Sequence, residues 1–327
     1  MPLKNNSINT GTFISNEIFN TLTDWGVNVI RVDIGVDKGS VWDVKKGEKP
    51  PLIPADNPLI PYRKQLQGLE TCLNLASRHN IYVIVSAGNV VGRKIDVLYN
   101  EDDGKGYYNE LPKLWKHITK RFGAHKNLLA YDVLNEPFEK KGKKNWRNIL
   151  LPELIRIIRE IDKNTYLVVE PAYWGSAKSF KNFIPVNDSK TVYSFHFYSP
   201  HTYTYQGTRN LPRGLNYPDL FRNPEQMRDH LKQAILFQKK YNVRMFVGEF
   251  SVVRWAPGAA EWLYDAVSLF EEYGWDWCYH GYGGWNGWNP TFSADAPQNN
   301  EINGGKKTDR LRVLKKAWMR NRARQSD

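Results

Sequence analysis

Cysteine is scarce in this chain: Cys72 and Cys278 are the two in 327 residues. That excludes a disulfide scaffold, and their spacing leaves open whether they pair or stay free. Long hydrophobic runs are missing as well. No uncharged apolar stretch approaches the ~20 residues that a spanning helix needs, and the longest, such as Ile81–Val85 and Leu167–Val169, are short and strand-like. No Cys/His set has zinc spacing, no glycine-rich phosphate loop occurs, and no G-x-S-x-G elbow presents a serine nucleophile. The opening Met-Pro-Leu-Lys-Asn-Asn lacks the apolar core of a signal peptide, which reads as a protein kept inside the cell or a form already trimmed. Internal repeats and low-complexity linkers are absent too, so residues 1–327 read as a single domain.

What is present is globular arithmetic, with 41% hydrophobic and 24% charged residues. Aromatics reach 13%, including 12 Trp and 18 Tyr, although mean hydropathy is only −0.59. Surplus Trp and Tyr supply flat apolar faces with polar edges, suited to meeting sugars, bases or cations. The net charge of +12 raises the question of nucleic acid. Residues 306–327 hold nine Lys/Arg against Asp309 and Asp327, which is +7 of that total, and Lys140, Lys141, Lys143, Lys144 and Arg147 form a second cluster. A solvated C-terminal helix, its basic residues matched to the negative helix end, accounts for the first. A nucleic-acid arm would need aromatic interleaving or a fold signature, and neither occurs. No nucleic-acid or membrane partner is expected.

Short β-branched runs alternate with amphipathic stretches. Strands are predicted at Val27–Ile34, Ile81–Ala87, Leu128–Leu134, Tyr166–Glu170, Thr191–Phe197, Val243–Glu249 and Trp275–His280, with Ser7–Gly11 as a weaker first strand. Helices are predicted at Ser15–Trp25, Tyr62–His79, Leu111–Phe122, Ile149–Asp162, Pro224–Tyr241, Ala259–Tyr273 and Asp309–Arg322. Near-continuous apolar strands signal burial on both faces, hence a parallel sheet. About eight strand–helix repeats predict an α/β fold, a (β/α)8 TIM barrel. A doubly wound open sheet is the alternative, and it often carries a glycine-rich first turn that is missing here.

Barrels collect function at the C-terminal ends of their strands. Those ends here are polar, aromatic and acidic: Arg31 and Asp33, Asn89, Asn135-Glu136-Pro137, Glu170, His196-Phe197-Tyr198, Gly248-Glu249-Phe250, and His280 with Trp285 and Trp288. Glu136 and Glu249 lie about three strand–helix units apart, which sets them on facing walls of one pocket. Two facing carboxylates are what glycosidic cleavage needs, one to protonate the leaving oxygen and one held ionised.

These residues carry a resemblance. Leu134-Asn135-Glu136-Pro137 and Val247-Gly248-Glu249-Phe250 resemble the two signatures of glycoside hydrolase family 5, the cellulase and mannanase family of clan A. His196-Phe197-Tyr198 is similar to its sixth-strand motif and Arg31 to its second-strand arginine, over roughly residues 6–290. The resemblance implies Glu136 as general acid/base and Glu249 as nucleophile, needing no metal or cofactor. It implies Asn135 on the sugar 2-hydroxyl, with Arg31, Tyr198 and His196 around Glu249. It also implies a retaining endo-acting enzyme on β-1,4-linked polysaccharide, glucan first and mannan or exo action second, acting as a secreted or periplasmic monomer.

Two departures stand out. Gly88 occupies the third-strand position where the family carries histidine, so a sugar contact is either missing or supplied by Asn89, which leaves the exact sugar open. His280 falls where the family's eighth-strand stacking tryptophan belongs, so the ring must come from Trp285, the favoured one, or Trp288. Trp42, Trp174, Tyr203, Tyr205 and Trp255 are candidate sugar platforms, and Glu170 a supporting or substrate group. The loop Lys140–Arg147 reads as solvated, an anionic substrate being the alternative. A binding-only barrel would keep these aromatics and lose the acid pair.

Overall fold

Eight parallel strands close into a barrel in sequence order in the computed structural model, which describes residues 2–7, 14–43, 51–88, 110–138, 146–297, 301 and 303–324. They are β1 (Pro2–Ser7), β2 (Val29–Ile34), β3 (Tyr82–Ala87), β4 (Leu128–Asp132), β5 (Tyr166–Val169), β6 (Thr191–Phe197), β7 (Arg244–Phe250) and β8 (Asp276–His280). The surrounding helices are α1 (Asn16–Asp24), α2 (Arg63–Arg78), α3 (Glu110–Phe122), α4 (Leu151–Ile161), the short α5 (His201–Thr204), α6 (Pro224–Tyr241), α7 (Ala259–Glu272) and α8 (Asp309–Arg324). Among the described residues no helix is long and apolar enough to cross a membrane.

One predicted element moves. The first strand is Pro2–Ser7, not Ser7–Gly11, and residues 8–13 lie outside the described set. Its sequence PLKNNS has no apolar run to announce a strand. It is a strand because backbone on both sides requires one, pairing Leu3 with Val29 and with Cys278. The helix predicted from Ile149 begins at Leu151, behind a π-helical turn at Trp146–Leu150. Elsewhere the boundaries agree to within two residues.

The interior is built in layers, because side chains alternate across each strand. Val29, Ile84, Ala130, Val168, Phe246 and Cys278 form an apolar plug on the axis. The intervening Ile30, Val32, Val83, Val85, Tyr131 and Val169 pack outward under the helices. Two residues further along five of these strands, the inward positions are Arg31, Ser86, Asp132, Glu170 and His280. The functional layer therefore sits directly on the plug. Strand β7 breaks the alternation: Val247 and Phe250 both pack outward, so Gly248 and Glu249 share the inner side, and pairing with β8 shifts register there. Such a bulge re-aims a side chain, here Glu249. Gly248 permits it, since a β-carbon there would lie 2.5 Å from Ser194 Oγ.

The basic C-terminal helix is docked rather than free. Leu311, Leu314, Ala317 and Trp318 are buried, and Trp318 stacks on Trp25 at 6.0 Å. Arg310, counted among the solvated charges, is buried and donates to the carbonyls of Asn289 and Phe292. Arg320 pairs with Glu271 of α7. Cys72 and Cys278 are both buried and unjoined.

Candidate active site

Arg31 projects from β2 into the layer above the plug and is fully buried. Its Nε donates to Asp132 at 2.7 Å, one terminal nitrogen to Glu249 Oε1 at 3.0 Å, and the other to Asn135 Oδ1 at 2.6 Å, Ser86 at 3.1 Å and Glu170 at 3.4 Å. The rigid fork of a guanidinium allows one side chain to serve so many acceptors. Asp132 is a site residue that the sequence reading passes over. Its only signal is the period-two register, which places it on the inner face beside Arg31.

Glu249 is nearly buried. Its Oε2 accepts from the Tyr198 hydroxyl at 2.9 Å and lies 2.8 Å from His280 Nδ1 and 3.5 Å from His196 Nδ1. Burial would raise the pKa of this carboxyl, but the positive charge of His196, His280 and Arg31 outweighs it and holds the group well below the ordinary range. Tyr198 moves the other way: burial, then the neighbouring Glu249, keep its hydroxyl protonated and a donor.

Glu136 follows β4 in a left-handed conformation with φ +48°, a backbone state that non-glycine residues seldom adopt outside special sites. Its N–H donates to Glu170 Oε2 at 2.9 Å, and its Oε1 lies 2.8 Å from His196 Nδ1. Its side chain is 27% exposed, against 5% for Glu249. Ligand atoms of Glu136, His196 and Glu249 all lie within 4.8 Å of one another. Among the described residues this is the grouping that could hold a metal ion, although Arg31 and His280 already supply positive charge to it. An accessible carboxyl facing a buried carboxylate this closely can divide the work of breaking a glycosidic bond.

The other predicted residues separate. Asn135, His196 and Tyr198 join Glu136 and Glu249 in one network. Asn89 and the cluster Lys140–Lys144 lie outside the described residues, and Arg147 donates to the carbonyl of Asn182. Trp288, rather than Trp285, packs against the site: its ring is 5.4 Å from Tyr198 and 5.0 Å from His280. Trp285 is more exposed, lies over Gly287 and meets Trp255 and Trp288 edge-on. Trp255 is half-buried under Arg213 and Arg254. Trp174 is 57% exposed and lies 4.4 Å from Phe138, which follows Glu136-Pro137. Tyr205 is half-buried among Tyr198, His201 and Trp288. Trp42 is half-buried and packs on the core. Tyr203 is not available as a platform: it is fully buried, with its hydroxyl on the Pro257 carbonyl.

Carboxylates set this close at the C-terminal mouth of a parallel barrel define a class, the barrel glycosidases. The description "Cellulase (glycosyl hydrolase family 5)" matches residues 2–289, and the chain belongs to that family. It is similar to Endoglucanase C of Acetivibrio thermocellus, at 24% identity over 299 residues, covering 80% of this chain and 82% of that one. Its fold is similar to that of a solved endoglucanase, with TM-score 0.72, 23% identity and coverage of 97% and 96%. It is also similar to Thermotoga maritima Cel5A in complex with cellobiose, with TM-score 0.71, 19% identity and 96% coverage of each chain. The Thermotoga protein has also been solved with mannotriose.

Proposed function

We propose that this glycosidase is a retaining, endo-acting hydrolase of β-1,4-linked glucan, with Glu136 as acid/base and Glu249 as nucleophile. The observation that carries the reading is the approach of the two carboxyl groups, with ligand oxygens within 4.8 Å. Retaining enzymes place the pair about 5–5.5 Å apart, whereas inverting ones need about 6.5–9.5 Å to admit a water. In the first step Glu249 attacks the anomeric carbon while Glu136 gives its proton to the departing oxygen, which keeps the electron pair of the broken bond. In the second, Glu136 takes a proton from water as the water displaces Glu249, and the configuration is restored.

The surroundings suit these roles. Arg31 and Tyr198 fix the two oxygens of Glu249, and His196 bonds Glu136. Asn135 spends its Oδ1 on Arg31, which leaves its amide N–H groups for a sugar 2-hydroxyl. Trp288 takes the place of the stacking ring beside His280, with Trp285 and Trp255 further out. Trp174 with Phe138 forms a platform on the Glu136 side, where a leaving sugar would lie. The two-carboxylate displacement requires no cofactor. A polymeric substrate puts the enzyme outside the cytoplasm, secreted or periplasmic, working as a monomer in which residues 1–327 form one catalytic domain.

The relatives' names favour glucan, and the mannotriose-bound Thermotoga protein keeps mannan in the test. Reducing-sugar release should be measured on soluble β-glucans, mannan, xylan and aryl glycosides, with the product anomer followed by NMR. We expect release of β-anomer from glucan, abolished in Glu249→Ala; azide should restore turnover of an activated aryl glycoside in Glu136→Ala. An α-anomer product, or full activity in Glu249→Ala, would overturn the proposal.

A further inference from the structure

Glu170 stands at the end of β5 with no exposed surface, and the displacement mechanism gives it no part. Its carboxyl nevertheless has a defined place for each oxygen. Oε2 accepts the backbone N–H of Glu136 at 2.9 Å, and Oε1 lies 3.4 Å from Arg31 and 3.1 Å from His196 Nε2. The contact with His196 is too bent for a straight hydrogen bond and is best described as an approach of charges. The chain makes room for this carboxyl. Gly175, at φ +60°, lies where a β-carbon would be 2.5 Å from Oε2, and its carbonyl accepts the His196 N–H.

We propose that Glu170 is a positioning residue that clamps Glu136 by its backbone and His196 by Nε2, so that the acid/base group and the ring bonded to it are held as one unit. The inference rests on Glu136 being the acid/base. Two physical consequences follow. A left-handed backbone at Glu136 is costly, and a charge-assisted bond to its N–H helps to hold it. Three carboxyl groups, Asp132, Glu170 and Glu249, are buried around the single guanidinium of Arg31, and buried charge left uncompensated is strongly destabilising. His196 is the buried group placed to supply a second positive charge. The acids facing it are Glu136 from β4, Glu170 from β5 and Glu249 from β7, with Asp132 behind Glu170. With both ring nitrogens protonated, Nδ1 donates to Glu136 Oε1, and Oε2 is left to carry the catalytic proton.

The test is Glu170→Gln, which removes the charge and keeps an oxygen able to accept from the Glu136 N–H. Steady-state kinetics across pH should be combined with ¹⁵N shifts of the histidine rings. We expect kcat to fall about 10- to 100-fold with KM within about twofold, and the alkaline limb of kcat to move to lower pH. The His196 shifts should titrate in the neutral range, where the wild type stays doubly protonated. Gly175→Ala displaces the carboxylate without removing its charge; it should lower kcat similarly, and it decides the matter if Glu170→Gln does not fold. Unchanged kcat, pH profile and His196 shifts in Glu170→Gln would overturn the clamp. A wild type inactive on every glycan would instead overturn the catalytic reading, while the ring shifts would still report on the clamp.

Discussion

Asp33 fills the space in front of Gly88: a β-carbon built on Gly88 would stand 2.9 Å from that of Asp33 and 3.0 Å from its Cγ. A histidine at position 88, as the family carries there, is incompatible with Asp33 where it lies, so the departure involves two residues. Gly88→Ala should destabilise the fold by about 1–3 kcal/mol through overpacking. Adding Asp33→Ala should recover most of that loss. A double-mutant cycle by urea denaturation reads the coupling, and strictly additive losses would show that the contact is not the cause.

Arg31→Lys should be far from conservative. One ammonium cannot reach Asp132, Glu249 and Asn135 together, and it leaves buried acceptors unpaired. Stability should fall by about 3–5 kcal/mol. In the fraction that stays folded, kcat/KM should fall at least ~10²-fold as the orientation of Glu249 loosens. Denaturant midpoints and initial rates measure the two effects separately.

Glu249 makes stability depend on acid. Its folded pKa is depressed, because His196, His280 and Arg31 outweigh burial. The ionised form therefore contributes stability that is complete above the unfolded value of about 4.3 and is lost as pH falls through the folded one. The wild-type urea midpoint should drop below about pH 4.3, and Glu249→Gln should drop less steeply over the same window. Parallel curves for the two proteins would contradict this account.

The basic helix predicts an asymmetry between its faces. Trp318 is fully buried against Trp25 and Trp277, so Trp318→Ala should cost about 3–5 kcal/mol. Lys316 is exposed on the same helix, and Lys316→Glu should stay within about 0.5 kcal/mol. Thermal unfolding of both variants checks whether α8 is part of the barrel wall.

Much of this was legible in the chain because the relevant signals are local. Apolar runs such as Leu167–Val169 announce buried parallel strands, and strand-end motifs such as Asn135-Glu136-Pro137 announce where chemistry gathers. The family resemblance implies Arg31 and Tyr198 around Glu249, and their side chains meet it. Other features depend on closure of the ring. Strand β1 has no hydrophobic signature and exists because β2 and β8 leave backbone groups to pair. Tyr203 reads as a platform from its position near β6, yet it turns inward to the Pro257 carbonyl.

Sequence by itself determined the alternation of elements, the pair of glutamates and the family, since each is carried by residues close along the chain. Only the tertiary structure decided that Glu170 meets Glu136 and His196, that Asp33 answers Gly88, and that Trp288 rather than Trp285 lies against His280. Such contacts join residues from different strands, and their partners are chosen by barrel register and by the bulge at Gly248–Glu249, neither of which local propensity encodes.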